Sequence, residues 1–287
     1  PDRMRWLVTG AKGMLGTDAV ALFGDRGHDV VAVDLGDLEL TDADAVKTAL
    51  AEVDVVLNCA AWTAVDDAET QEDAALLVNA TIPGVLAEAA AATGTRLVQI
   101  STDYVFAGDA TSPYAEDAPA APQSAYGRTK EAGERAVRAA LPDAHLIVRT
   151  AWLYGAHGNC FPKTIARVAA ERGALSVVDD QVGQPTWTHD VADLVLRLVE
   201  ADAPAGTYHA TSGGQTSWFG FAQRVVEAAG LDPAIVTPTD SQAFQRPAPR
   251  PAYSVLGHGA LERLGIAPIG DWEERWARAS VEVLGLA

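Results

Sequence analysis

The chain has little with which to cross-link itself, span a bilayer or bind a polyanion. Its 287 residues include only two cysteines, Cys59 and Cys160, far apart and in no paired-cysteine spacing. Reduced, buried thiols are therefore expected. No uninterrupted apolar run approaches the ~20 residues of a membrane span. The opening PDRMRWLVTG carries neither the apolar segment nor the small-residue cleavage site of a secretory signal. A cytoplasmic protein without a membrane partner is the expectation. Basic residues are scarce: 21 Lys and Arg stand against 39 Asp and Glu, a formal net charge of −18. That field repels nucleic acid and anionic membranes at long range, so no nucleic-acid partner is expected. A small phosphorylated ligand, held by local N–H groups and a few arginines, is compatible with it. None of the six histidines pairs with another at the i, i+4 spacing of a helical metal site, and no metal is expected.

What the chain does have is a rhythm. The apolar runs Trp6-Leu7-Val8, Val30-Val31-Ala32-Val33, Val55-Val56-Leu57, Leu97-Val98-Gln99-Ile100 and Leu146-Ile147-Val148 alternate with amphipathic or alanine-rich stretches. Continuous apolar runs are how parallel strands read when helices cover both faces, so the pattern predicts an α/β, doubly wound parallel sheet over residues 1–150. Later elements are shorter: a helix over Lys163–Arg172, a strand at Leu175–Val178, a helix over Asp190–Glu200 and a strand at Thr207–His209. Some of these, about 190–212, are expected to return to the first sheet, and residues 151–287 to form mainly a smaller second domain. The proline-rich segment from Thr237 to Pro251 is compatible with neither a regular helix nor a central strand. Its arginines make it a candidate ligand loop.

Three motifs carry chemistry. Gly10-Ala11-Lys12-Gly13-Met14-Leu15-Gly16 follows the first strand and opens a helix. The first glycine permits the turn, the second lets backbone N–H groups approach a pyrophosphate, and the third lets the helix pack on the strand. Asp34 ends the second strand, where a carboxylate accepts from an adenosine ribose and favours NAD; Lys12 argues the other way, because an ammonium there neutralises a 2′-phosphate. Cofactor choice stays open on the residues alone. Next, Tyr126 and Lys130 in Tyr126-Gly127-Arg128-Thr129-Lys130 share one helix face at i, i+4. An ammonium beside a phenol is expected to stabilise the phenolate and bring a pKa of ~10 toward the working range. Last, Ser101-Thr102-Asp103-Tyr104-Val105-Phe106 falls at the carboxyl end of the fourth strand, where ligands of doubly wound folds bind. Either hydroxyl could serve a substrate carbonyl or simply cap a turn.

Taken together, the glycine loop, the hydroxyl after strand four and the Tyr-x-x-x-Lys helix resemble the extended short-chain dehydrogenase/reductase superfamily. Further motifs narrow the likeness: Asn58-Cys59-Ala60-Ala61-Trp62-Thr63-Ala64-Val65-Asp66, Arg149-Thr150-Ala151-Trp152-Leu153-Tyr154-Gly155, Asn159-Cys160-Phe161, Asp180-Gln181-Val182-Gly183-Gln184-Pro185-Thr186 and Arg250-Pro251. With these the chain is similar, over nearly its whole length, to the dTDP-4-dehydrorhamnose reductase family.

The resemblance implies a Rossmann-type fold with a C-terminal substrate-binding domain, and NADPH or NADH as cofactor. It further implies reduction of the C4 keto group of a dTDP-4-keto-6-deoxyhexose. Thr102 matches the catalytic hydroxyl, Tyr126 the proton donor and Lys130 its partner. Gly10, Gly13, Met14, Leu15 and Gly16 match the cofactor phosphate loop, Asp34 the ribose end, Glu39 and Leu40 the adenine side, and Ala60, Ala61, Trp62 and Thr63 the loop after strand three. Thr102, Asp103, Tyr126 and Trp152 match substrate contacts; Arg250 is added for diphosphate because its fork suits phosphate. Asp66, Asp67 and Glu69 read as a solvated helix start. Alternatives are a nucleotide-sugar epimerase or dehydratase, or a non-catalytic regulatory subunit of the same fold. Dehydratases of this branch place Glu where Tyr104 stands. Whether the chain forms a homodimer is left open.

Overall fold

The computed structural model describes residues 2–287. The first half runs β1 (Arg5–Thr9), α1 (Met14–Asp25), β2 (Asp29–Ala32), α2 (Ala43–Leu50), β3 (Val55–Asn58), α3 (Val65–Ala68), α4 (Glu72–Leu76), α5 (Ile82–Thr93), β4 (Arg96–Thr102), α6 (Ala125–Ala140) and β5 (His145–Thr150). The second half runs β6 (Leu153–Tyr154), α7 (Phe161–Arg172), β7 (Leu175–Val178), β8 (Val182–Gly183), β9 (Thr186–Trp187), α8 (Thr188–Glu200), β10 (Gly206–His209), β11 (Thr216–Ser217), α9 (Trp218–Ala228), β12 (Val236–Thr239), α10 (Gly259–Arg263) and α11 (Trp272–Leu284).

Six strands form one sheet in the order β10-β5-β4-β3-β1-β2, every neighbouring pair parallel. Successive side chains on a strand point to opposite faces, and both faces here are apolar. Trp6, Val8, Leu57, Val98 and Leu146 meet Phe23 of α1 and Leu194 and Leu198 of α8. Their neighbours Leu7, Val56, Leu97 and Ile147 meet Leu50 of α2, Leu86 of α5 and Val137 of α6. This two-sided cover is what the unbroken apolar runs predicted. The return strand β10 lies beside β5 at the sheet edge. A separate core of Tyr154, Ile165, Trp187, Phe221, Trp272 and Trp276 joins α7, α9 and α11. The two-stranded sheet of β7 and β12 flanks it. Pro238 lies within β12, an edge strand, where its missing N–H breaks no inner ladder.

Two local features place the site. The fourth strand runs two residues beyond the predicted apolar run, to Thr102, because Ser101 and Thr102 continue its pairing against Arg149 and Thr150. A turn of 3₁₀ helix, Asp103–Val105, follows. Between α4 and α5 a π-helical turn, Leu77–Thr81, makes one continuous helix of Glu72–Thr93. By length and composition alone that helix could cross a membrane, but it packs against α2 and α6.

Candidate active site

A cavity of ≈ 1190 Å³ opens along the carboxyl ends of β1, β3, β4 and β5 and extends to the β7–β12 side. At one end, Gly10 adopts φ +59°, and a Cβ there would press on the backbone of Cys59 and Ala60. Gly13 is the N-cap of α1, with no side-chain cap and no acidic residue in the first turn. The leading N–H groups of α1 thus keep their donors, and the positive end of the helix dipole faces the cavity. A close backbone cradle with free donors fits a pyrophosphate. Gly10, Gly13, Met14, Leu15, Gly16, Asp34, Glu39, Leu40, Ala60, Ala61, Trp62 and Thr63, each predicted for the cofactor, all line the cavity.

Asp34 accepts from the backbone N–H of Leu35 and of Lys12, both at 2.7 Å, and these bonds hold its carboxyl below the usual range. Lys12 contributes its backbone; its residue is exposed. Glu39 accepts from the Thr41 hydroxyl at 2.7 Å. The loop after β3 is fixed by Asn79 of the π turn, whose Oδ1 accepts from Trp62 N (2.9 Å). Its Nδ2 donates to Trp62 O and to Thr129 Oγ1, both at 3.1 Å.

The far wall brings Thr102, Asp103, Tyr126 and Lys130 together. Ser124 caps α6, accepting from Gly127 N at 3.0 Å, so Tyr126 and Lys130 sit in the first turns with their side chains toward β4. Lys130 Nζ donates to Ile100 O at 2.8 Å. Burial pulls its pKa down to about 8, opposed by the nearby Glu134 carboxylate. Tyr126 packs edge-on against Tyr104, with ring centres 5.3 Å apart. Its pKa is pushed up to about 12 by burial, against the pull of the adjacent Thr102 hydroxyl. This corrects the expectation of a lowered tyrosine: Lys130 is bonded to a strand carbonyl, and desolvation of the phenolate outweighs it. Thr102 Oγ1 donates to Asp103 Oδ1 (3.1 Å) and accepts from Tyr104 N (3.2 Å).

On the opposite side, Trp152 lines the cavity in a left-handed backbone conformation, φ 53°, stacked on Trp218 at 3.6 Å. Arg250 also lines it, but its guanidinium is bidentate to Asp66, with Nη1 to Oδ1 at 2.7 Å and Nη2 to Oδ2 at 3.1 Å. Ala248 N adds a third bond to Asp66 at 3.1 Å. Asp66 is therefore not a solvated residue of an acidic helix start; it clasps the proline-rich segment onto α3. Arg246 and Phe244 of that segment are exposed and line the cavity.

Comparison with known proteins agrees with this geometry. The RmlD substrate binding domain family matches residues 4–284. The chain belongs to that family. A probable dTDP-4,6-dihydroxy-2-methyloxan-3-one 4-ketoreductase of Streptomyces antibioticus is 50% identical, over 98% of this chain and 96% of its own. A dTDP-4-dehydrorhamnose reductase of Streptomyces griseus is also 50% identical, over 94% of this chain and 91% of its own. Among solved structures, the dTDP-4-dehydrorhamnose reductase of Bacillus anthracis in complex with NADP superposes with a TM-score of 0.93 at 36% identity. It covers 98% of this chain and 100% of that one. The fold is thus of the Rossmann type shared by these reductases.

Within this family frame, sequence reasoning missed Asn79, Trp218 and Phe244, and had Arg246 only as one of the arginines of the candidate ligand loop. Asn79 carried one signal, a lone amide in an otherwise apolar helix; Phe244 lies in the arginine-bearing candidate loop but was not singled out there, and nothing local marks Trp218. Both cysteines are free, and partly rather than fully buried. Asp18, His157 and Glu282 converge beside α1, with ligand atoms within 4.8 Å of one another, although no spacing suggested it. Asp18 there accepts from the Thr188 hydroxyl at 2.5 Å.

Proposed function

We propose that this chain reduces the C4 keto group of a dTDP-4-keto-6-deoxyhexose at the expense of NADPH or NADH, as a dTDP-4-dehydrorhamnose reductase-type enzyme giving dTDP-L-rhamnose or a related deoxysugar. The observation that carries the reading is the convergence of Thr102, Tyr126 and Lys130 on one wall of a cavity whose other end is an uncapped helix N-terminus behind a glycine cradle. When bound, the reduced nicotinamide supplies the hydride.

Residues 1–150, with the return segment around 190–212, hold the cofactor in this reading, and residues 151–287 mainly the sugar nucleotide. The first-turn N–H groups of α1 receive the pyrophosphate, Asp34 the ribose, and Glu39 and Leu40 the adenine side. Thr102 orients the ketone oxygen by hydrogen bond. Tyr126 gives that oxygen its proton; a phenol pushed up to about 12 stays protonated until an alkoxide develops beside it. The Lys130 ammonium lies one helical turn on and adds positive charge near the phenol. Trp152 offers an indole edge to the sugar, and Arg246, exposed on the cavity rim, is better placed for the diphosphate than Arg250, whose charge Asp66 already holds. Tyr104 stands where a dehydratase needs its second carboxyl, so the wall is built for reduction.

The test is consumption of NADPH and of NADH by the purified protein with dTDP-4-keto-6-deoxy-L-lyxo-hexose, and the same assay on Tyr126→Phe. Turnover by the wild type and a fall of roughly 10²–10⁴-fold in kcat for the variant are expected. No consumption of either cofactor with any dTDP-ketosugar would sink the reading.

A further inference from the structure

Asp103 has an arrangement that holding a sugar hydroxyl does not account for. It opens the 3₁₀ turn after β4 and is 4% exposed. Oδ1 meets Thr102 Oγ1 at 3.1 Å, while Oδ2 is buried without a hydrogen-bond partner among the described residues. No cation among the described residues compensates it. Lys130 is bonded to Ile100 O, and Arg246 and Arg250 act on Tyr104. The remaining groups facing the carboxyl are Tyr104 and Tyr126, whose ionisation its charge opposes, and two donors that favour the charged form but that burial outweighs: its own backbone N–H and Ser254, whose hydroxyl also bonds Val182 O at 3.3 Å. A carboxylate left this way in a dry wall takes up a proton.

We propose that Asp103 is held as the neutral acid and returns a proton to Tyr126, through the Thr102 hydroxyl, after each reduction. The proposal rests on the reductase reading and adds the proton source that it lacks. With Asp103 neutral, the bond that Thr102 Oγ1 donates to Asp103 Oδ1 reverses: the Thr102 oxygen then accepts from Tyr104 N and from the acid, and its own hydrogen turns to the tyrosine oxygen. In the step, the phenolic O–H of Tyr126 breaks as the O–H of the product alcohol forms. The phenolate then takes the Thr102 proton while Thr102 takes that of Asp103, and the Asp103 carboxylate is reprotonated by water once product leaves. Net consumption is one solvent proton together with the hydride of the reduced nicotinamide. A carboxyl at about 7 delivering to a phenol at about 12 makes the return downhill.

The experiment is the pH dependence of kcat and kcat/KM for wild type and Asp103→Asn, with dTDP-4-keto-6-deoxy-L-lyxo-hexose and saturating NADPH. For the wild type, kcat should fall on the alkaline side of a limb near pH 7. The Asn variant, which keeps shape and hydrogen bonds but has no proton to give, should lose that limb, drop about 10-fold or more in kcat at low pH, and change little in KM. Thr102→Val should also lose the limb. A wild-type kcat/KM that instead rises through pH 7, with Asp103→Asn raising KM and sparing kcat, would show an ionised carboxylate gripping substrate and overturn the proposal while leaving the reductase reading intact. If the wild type turns over no dTDP-ketosugar at any pH, both fail. The wild-type profile decides even where a variant does not fold.

Discussion

Replacing Arg149 by Met should cost this fold more than any exposed ion pair does. Glu134 of α6 is 1% exposed and takes four hydrogen bonds: Arg149 Nε at 2.9 Å, Arg149 Nη2 at 2.7 Å, Ser101 Oγ at 2.5 Å and Arg138 Nη2 at 3.0 Å. Arg149→Met removes two of these and the buried cation bonded to the carboxylate: the Arg138 side chain is 38% exposed, and the buried Lys130 ammonium nearby is bonded to Ile100 O instead. It also removes the guanidinium's bond to Glu116 O (3.1 Å) and its position over the Phe106 ring (4.8 Å). Breaking a buried pair on one side costs about 3–5 kcal/mol because the partner's charge stays behind. At roughly 2–4 °C per kcal/mol for a chain of this size, Tm should fall by about 6–20 °C. Glu134→Leu should do as much, leaving Arg149 buried and unpaired, whereas the double variant should cost less than either single, because an apolar pair strands no charge. Arg149 holds the Glu134 carboxyl below its ordinary range. A depressed carboxyl stabilises the fold above its unfolded pKa of ~4.3 and loses that contribution as pH falls through the folded value. The gap between wild type and Arg149→Met should therefore narrow in acid. Thermal and urea unfolding of the four proteins measure this. Additive singles, or singles below about 1 kcal/mol, would refute the reasoning.

Two further outcomes follow from the geometry. A Cβ on Gly16 collides with the Gly10 carbonyl and the Ala11 backbone. Gly16→Ala should thus cost about 1–3 kcal/mol of stability and weaken NADPH binding, and an unchanged Kd by fluorescence titration would contradict the cradle. His209 is fully buried, with Nδ1 2.8 Å from Gly257 O and Nε2 3.3 Å from Arg149 Nη1; burial, with Arg149 beside it, pushes its pKa down to about 3. Its depressed value means that stability is full above the unfolded imidazole's ~6.5 and declines as pH drops from there toward 3. His209→Gln should flatten that decline, as urea midpoints at several pH values in this window would show.

The central sheet was legible because strands buried on both faces leave little freedom in what they are made of, and Val55–Leu57 or Leu146–Val148 read as nothing else. The cofactor loop was legible because turn, strand and helix signals coincide within Thr9–Gly16. Failures came where a residue's partner is remote in the chain. Asp66 looked solvated because Arg250 is supplied by the far end of the sequence. Ser101 was left between substrate hydroxyl and turn cap because Glu134, on the next helix, is what its hydroxyl donates to. The tyrosine pKa was misjudged because helix spacing shows proximity and says nothing of desolvation. Trp152 was read for its ring, yet its backbone twist and its stacking on Trp218 depend on a segment more than sixty positions later.

The edge position of β10 bears on how the chain is made. When Thr150 leaves the ribosome, five strands of the sheet exist, and β5, all six of its residues buried in the finished protein, has no neighbour on its outer side. Its partner is translated only at Gly206–His209. At ordinary elongation rates that interval lasts roughly 3–12 s, with an apolar strand edge open to a second nascent chain or to a chaperone. A stalled or truncated product ending anywhere in that interval carries the same open edge for good.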